Sequence, residues 1–77
     1  MKYPSRHRAV ASAIASVRRQ AKLSQRELSE KLGTPSNWIQ RIESLERRLD
    51  VAEFIAIAQA LDVDPLHLLG RVLKSAP

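Results

Sequence analysis

The stretch SQRELSEKLGTPSNWIQRIE, from Ser24 to Glu43, leaves this chain little choice of architecture. It encodes two short amphipathic helices with almost no chain between them. Ser24 caps the first, and Glu27, three residues on, completes a capping box in which each side chain bonds a backbone N–H of the other. Leu23 and Leu28 flank the cap as a hydrophobic staple. Leu28 and Leu32 face inward with Ser29, which is small enough for a close helix crossing. Gly33 ends the helix, because glycine accepts the left-handed conformation without a Cβ clash. Thr34 then caps a second helix that opens at Pro35, a residue favoured in a first helical turn. Ile39 and Ile42 point to the core. Ser36, Asn37, Gln40 and Arg41 remain outside, a donor-rich face with one fixed charge among the four.

Two helices this short need neighbours to bury their apolar sides, and the flanking sequence supplies them. Helix 1 is expected from about Arg8 to Ala21, with Val10, Ala13, Ile14, Val17 and Ala21 at three- and four-residue steps forming a buried stripe. Its opposite face carries Arg8, Ser12, Arg19 and Lys22. Helix 4 starts at the cap Asp50, with Glu53 closing a second capping box. Phe54, Ile55, Ala58 and Leu61 form its expected stripe, supported by Val51 and Ile57. Helix 5 follows the cap Asp64 and Pro65, with Leu66, Leu69, Val72 and Leu73 as its apolar positions. No segment alternates apolar and polar residues over a strand's length. The expectation is an all-α, compact five-helix domain over residues 8–74, with its central unit at 24–43. Residues 1–7 read as a flexible basic arm, the linker Ser44–Asp50 as irregular, and 75–77 as a frayed tail.

Composition narrows the function. A chain of 77 residues is one small domain. It has no cysteine, so disulfides and thiolate metal sites are excluded, which suits a reducing cytoplasm. No apolar run approaches the roughly 20 residues that span a bilayer. The segment AVASAIASV faintly resembles the core of a secretory leader, but two serines interrupt it and it leads into Arg18, Arg19 and Lys22, which disfavours secretion. The net charge is +5, and it is uneven. Lys2, Arg6, Arg8, Arg18, Arg19, Lys22 and Arg26 precede the first acid, and all eight acidic residues lie in 27–77. Such asymmetry points to a polyanion on one side of the molecule. Catalysis has little support. Asp62, Asp64 and His67 make a weak metal set, and Asp64–Pro65 is already explained as a helix start. No Gly-rich phosphate loop or nucleophile motif is present. The expectation is a binding protein without cofactor, not an enzyme.

The segment LSQRELSEKLG, the ending IQRIE and the tail FIAIAQALDVDPLHLL resemble the phage repressor and Cro family of Xre-type helix-turn-helix proteins. The resemblance covers about residues 10–70. It implies a lambda-repressor-like five-helix fold and a sequence-specific DNA-binding transcriptional regulator whose second short helix enters the major groove. By that resemblance Ser36, Asn37 and Arg41 match base-contacting positions, with Gln40 beside them. Asn37 suits an adenine edge and Arg41 a guanine edge. Gln25 is implied to hold a phosphate, and Arg19, Lys22, Arg47 and Arg48 are further phosphate candidates. Arg18 and Glu43 are implied to form a partly buried ion pair between helices 1 and 3. Trp38 is open to two roles, packing against the linker or touching a thymine methyl. Three residues depart from the family pattern. Leu45 stands where many members have glycine, which opens a different path out of helix 3. Ser29 replaces the usual alanine, and Trp38 a smaller residue. The expected partner is double-stranded DNA, bound by a cytoplasmic homodimeric repressor that pairs through helix 5 on a two-fold symmetric operator. With only SAP after helix 5, the alternative of an antitoxin-like or coactivator-like protein-interaction module is less favoured. Non-specific nucleic-acid binding is disfavoured by the nearly neutral recognition face.

Overall fold

Helices α1 (Pro4–Gln20), α2 (Gln25–Lys31), α3 (Trp38–Glu43), α4 (Val51–Ala60) and α5 (Pro65–Ser75) follow one another in a computed structural model that describes residues 4–75. There is no strand among the described residues. Each helix sends at least one large side chain to a common centre. Ile14, Leu28, Ile39, Ile42, Ile57 and Leu68 have no exposed surface. Burying each stabilises the fold by roughly 1.5–3 kcal/mol. α1 packs along α5 and also against α3, while α2 packs on α3. The Arg71 guanidinium donates to Ser16 Oγ at 3.0 Å, adding a polar tie between α5 and α1.

Both capping boxes form. Glu27 N–H donates to Ser24 Oγ at 2.9 Å, and Ser24 N–H to the Glu27 carboxylate at 2.8 Å. Asp50 and Glu53 repeat the arrangement at the start of α4. The backbone N–H and then the hydroxyl of Ser24 hold the Glu27 carboxyl below its ordinary range. Asp64 Oδ1 accepts from Leu66 N–H at the start of α5.

Several elements differ from the sequence expectation. α1 begins at Pro4, so residues 4–7 are helix rather than arm, and only 1–3 of the expected arm lie outside the described residues. Proline is pre-set for a first helical turn, and nothing from Ser5 to Arg8 breaks the helix. Ala21 falls in the turn and is exposed. Ser75 still belongs to α5, and residues 76–77 of the expected tail lie outside the described part. On α4 the buried residues are Ile57 and Ala58, with Leu61 just beyond, while Phe54 is half-buried and Val51 and Ile55 are exposed. On α5 Leu68 and Val72 are buried, but Leu66, Leu69 and Leu73 are exposed. α4 is apolar around much of its circumference, so spacing alone does not select its buried face, whereas α5 has one broad apolar side of which only part is covered.

α3 starts three residues later than expected. Ser36 and Asn37 form a turn, Thr34 is not its cap, and Asn37 occupies the cap position without a side-chain bond. The Thr34 hydroxyl instead donates back to Ser29 O. The cap for α3 comes from another helix: Ser29 Oγ, fully buried in α2, accepts the Ile39 N–H at 3.0 Å and donates its own hydrogen to Gln25 O at 2.8 Å. The hydroxyl therefore does what the alanine usual in the family cannot do. Ser29→Ala strands a buried N–H, which costs about 1–3 kcal/mol. Thermal unfolding followed by circular dichroism is expected to show a midpoint several degrees lower, at about 4–8 °C per kcal/mol. An unchanged midpoint would show that Ile39 N–H finds another acceptor.

The first four helices end alike. Lys22, Gly33, Leu45 and Asp62 have φ of 60°, 71°, 69° and 57°. After each, the next residue's N–H reaches back five positions: Leu23 to Arg18, Thr34 to Ser29, Glu46 to Arg41 and Val63 to Ala58. This is the Schellman closure. Leu45 thus adopts the left-handed conformation expected of a glycine at this position in the family the sequence resembles, and the exit from α3 is not rerouted. For a residue with a Cβ that conformation costs roughly 1–2 kcal/mol.

Candidate nucleic-acid interface

The outer face of α3 is fixed in place from two sides. On one side, Arg18 of α1 donates through Nε to Glu43 Oε2 at 2.7 Å and through Nη2 to Oε1 at 3.1 Å. Its Nη1 donates to Leu23 O at 2.8 Å, and Gln25 Nε2 adds a third bond to the same carboxylate at 2.7 Å. The two charged side chains are only 10% and 7% exposed. One carboxylate at the end of α3 therefore collects α1 and the start of α2.

On the other side, Arg47 in the loop lies over the Trp38 ring, 4.9 Å from its centroid, a cation–π contact. The same guanidinium grips Glu53 with two bonds, at 3.1 and 2.9 Å, and donates to Arg48 O. Arg47 first, and the Asp50 backbone N–H second, hold the Glu53 carboxyl below its ordinary range. Glu53 is the capping residue of α4, so this latch runs from the first residue of α3 to the start of α4.

Between these braces lie the residues expected to read bases. Ser36, Asn37, Gln40 and Arg41 are all exposed. Asn37 spends no side-chain bond on capping. Arg41 makes no side-chain hydrogen bond or ion pair among the described residues and feels the Glu46 carboxylate only at longer range. Gln40 leans toward that carboxylate at 3.4 Å, and the Ser44 hydroxyl donates to it at 2.7 Å. These bonds, Ser44's first, hold the Glu46 carboxyl below its ordinary range.

The expected phosphate contacts fall into two groups. Arg19, Lys22 and Arg48 are exposed, and no bond to another described side chain occupies Lys22 or Arg19. Gln25 and Arg47 are both partly buried and already bonded. Gln25 keeps the second hydrogen of its amide for an outside acceptor. Arg47 is tied to Trp38 and Glu53, so the loop's unengaged cation is Arg48. Trp38 itself is half-buried against Arg47 rather than presented outward. Sequence reasoning missed Ser29 as the cap of α3 and Arg47 as a loop brace. The pairing of Arg47 with Glu53 had no local signal, because the loop brings the two together only in the folded chain. Among the described residues no group of three or more His, Cys, Asp or Glu is placed to hold a metal ion. No helix among them is long and apolar enough to cross a membrane.

Comparisons with known proteins agree with this geometry. A family model described as helix-turn-helix matches residues 14–68. An XRE-family like protein from Pseudomonas syringae pv. tomato superposes with a TM-score of 0.83 at 33% identity, covering 94% of this chain and 88% of that one. Two more distant structures share the fold. The restriction-modification controller protein C.Esp1396I gives a TM-score of 0.86 at 20% identity, over 95% of this chain and 96% of that one. The clp gene regulator ClgR from C. glutamicum gives 0.85 at 18% identity, over 99% and 97%. No curated protein matches the chain.

Proposed function

The chain belongs to the Xre-type helix-turn-helix family, whose members are DNA-binding transcriptional regulators, and on that premise we propose that it is a sequence-specific repressor acting as a homodimer on a two-fold symmetric operator. The observation that carries this reading is the face of α3. Four exposed polar residues, Ser36 and Asn37 on the turn that leads into α3 and Gln40 and Arg41 on α3 itself, share one face of a short unit braced at both ends. A rigid, donor-rich surface of this kind suits the major groove, where each base pair shows a distinct pattern of donors and acceptors. Gln25, Arg19, Lys22 and Arg48 flank it as phosphate contacts that set register without reading sequence. Arg47 contributes by holding the loop that carries Arg48. The test is selection of bound sequences from a random DNA pool. A two-fold motif with half-sites about one helical turn apart, ~34 Å, is the expected result. Weak binding with no enriched motif, vanishing as salt rises, would leave only the electrostatic term and defeat the operator reading. Such a regulator works where the DNA is, in the cytoplasm with the nucleoid, and its action is binding rather than catalysis.

The dimer reading rests on α5. Leu66, Leu69 and Leu73 are 76%, 43% and 68% exposed, and their spacing sets them on one side of the helix. Val51 of α4, 75% exposed, shares with Leu69 the lining of an apolar hollow of about 250 Å³. An apolar patch of this kind on a small domain marks an association surface. Light scattering at micromolar concentration is expected to give twice the chain mass. Leu69→Asp with Leu73→Asp should halve it while leaving the helical circular dichroism unchanged. A monomeric wild type would remove the homodimer from the reading.

A further inference from the structure

Beside the face of α3 runs a groove of about 500 Å³ between α1 and the end of α3. Its floor is the buried pair Ala11 and Ala15, whose small side chains open the space, and Ser12 sets a hydroxyl on its edge. Arg8 and Arg19 lie at its two ends. Eleven residues apart, they are about three turns and 16 Å apart along α1, and so share one face. Both are exposed, and neither has a hydrogen-bond or ion-pair partner among the described residues. The opposite wall carries Gln25 and Gln40, which border the base-reading surface. The one carboxylate in the lining, Glu43, has its oxygens taken by Arg18 and Gln25. Because α1 starts at Pro4, Arg8 sits a full turn inside the helix, where its backbone is fixed.

We propose that this groove seats a run of the DNA sugar–phosphate backbone, with Arg8 and Arg19 each neutralising a different phosphate. The spacing of the two arginines along α1 decides the ligand. A single phosphate ion cannot sit against both unless each side chain lies flat along the helix. A DNA strand offers a charge every 3.4 Å along its axis. The inference rests on the reading that α3 meets DNA. It extends the contact surface along α1 to a residue well before the helix-turn-helix unit.

The experiment measures binding to the selected sequence across a salt series, for wild type, Arg8→Gln, Arg19→Gln and the double variant. Each substitution is expected to flatten the slope of log affinity against log salt by about one, and the pair by about two. With each arginine replaced, the fall in affinity between 50 and 200 mM salt shrinks by about threefold. The ranking of DNA sequences should not change. Neutral methylphosphonate replacements, scanned along the site, should each weaken wild type at a position where Arg8→Gln or Arg19→Gln is no longer sensitive. An unchanged slope in the double variant, with a motif still enriched by wild type, would overturn the groove and leave the operator reading standing. A flattened slope with no motif enriched by any protein would keep the groove and defeat the operator reading. Neither effect would defeat both. Inorganic phosphate at matched ionic strength is a further arm. If it bound wild type but not the double variant while both proteins kept the same salt slope on DNA, the groove would belong to a free anion and the proposal would fail.

Discussion

Glu43→Ala is expected to lower the unfolding midpoint by about 15 °C or more. The substitution leaves the Arg18 guanidinium buried with only Leu23 O as a partner, and also frees Gln25. Stranding one member of a buried ion pair costs about 3–5 kcal/mol. The whole stability of a domain this size is about 4–12 kcal/mol on the usual per-residue scale. Each kcal/mol moves the midpoint by about 4–8 °C. The loss is large because of what it leaves behind, not because the pair itself is worth that much. Replacing both partners with apolar residues of similar volume, Arg18→Met with Glu43→Leu, should therefore recover most of the midpoint. Thermal unfolding of wild type and the two variants settles it. A Glu43→Ala midpoint within about 5 °C of wild type, near one kcal/mol, would mean that Arg18 finds water at little cost.

Asn37→Ala and Arg41→Ala are expected to act in the opposite manner. Each should leave the midpoint near that of wild type, since both side chains are exposed and unengaged in the free protein. Each should cost about 1–3 kcal/mol on the selected site, roughly five- to 150-fold in affinity, because a bidentate base contact is worth that much. The loss should be confined to certain bases. Asn37→Ala should relax selection at one position and Arg41→Ala at another one, and binding to random DNA should weaken far less. Fluorescence anisotropy against the selected site and single-base variants reads both effects. Equal weakening on every sequence would assign these residues to phosphate rather than to bases.

Much of the fold was legible because its signals are local. Ser24 with Glu27, Asp50 with Glu53, and Asp64 with Pro65 each declare a helix start within four residues. Gly33 declares an end. Lys22, Leu45 and Asp62 end helices in the same way and declare nothing, since any residue adopts that conformation when the surrounding closure is strong enough. The start of α3 was misplaced because its cap, Ser29, lies ten residues before the Ile39 N–H it accepts and reaches it only after folding. The buried stripe of α4 was legible only in part: Ala58 and Leu61 are buried as expected, but Ile55 is exposed, because this helix is apolar on more than one side. Periodicity names a face only where the other face is polar. Within the site, the exposed positions of α3 followed from the placement of Ile39 and Ile42. The engagement of Arg47 did not, because its partners Trp38 and Glu53 meet only once the loop has closed.

The latch over Trp38 also has an optical consequence. This is the only tryptophan in the chain, and it is the first residue of α3. Its indole lies half-covered beneath a cation, next to the face proposed to meet DNA. Emission from such a ring responds to the charge and water around it, both of which change when a phosphate chain arrives. The protein thus carries an intrinsic reporter at the junction of α3 and its loop, so that the proposed DNA binding and its salt dependence are open to measurement by fluorescence on the unmodified chain.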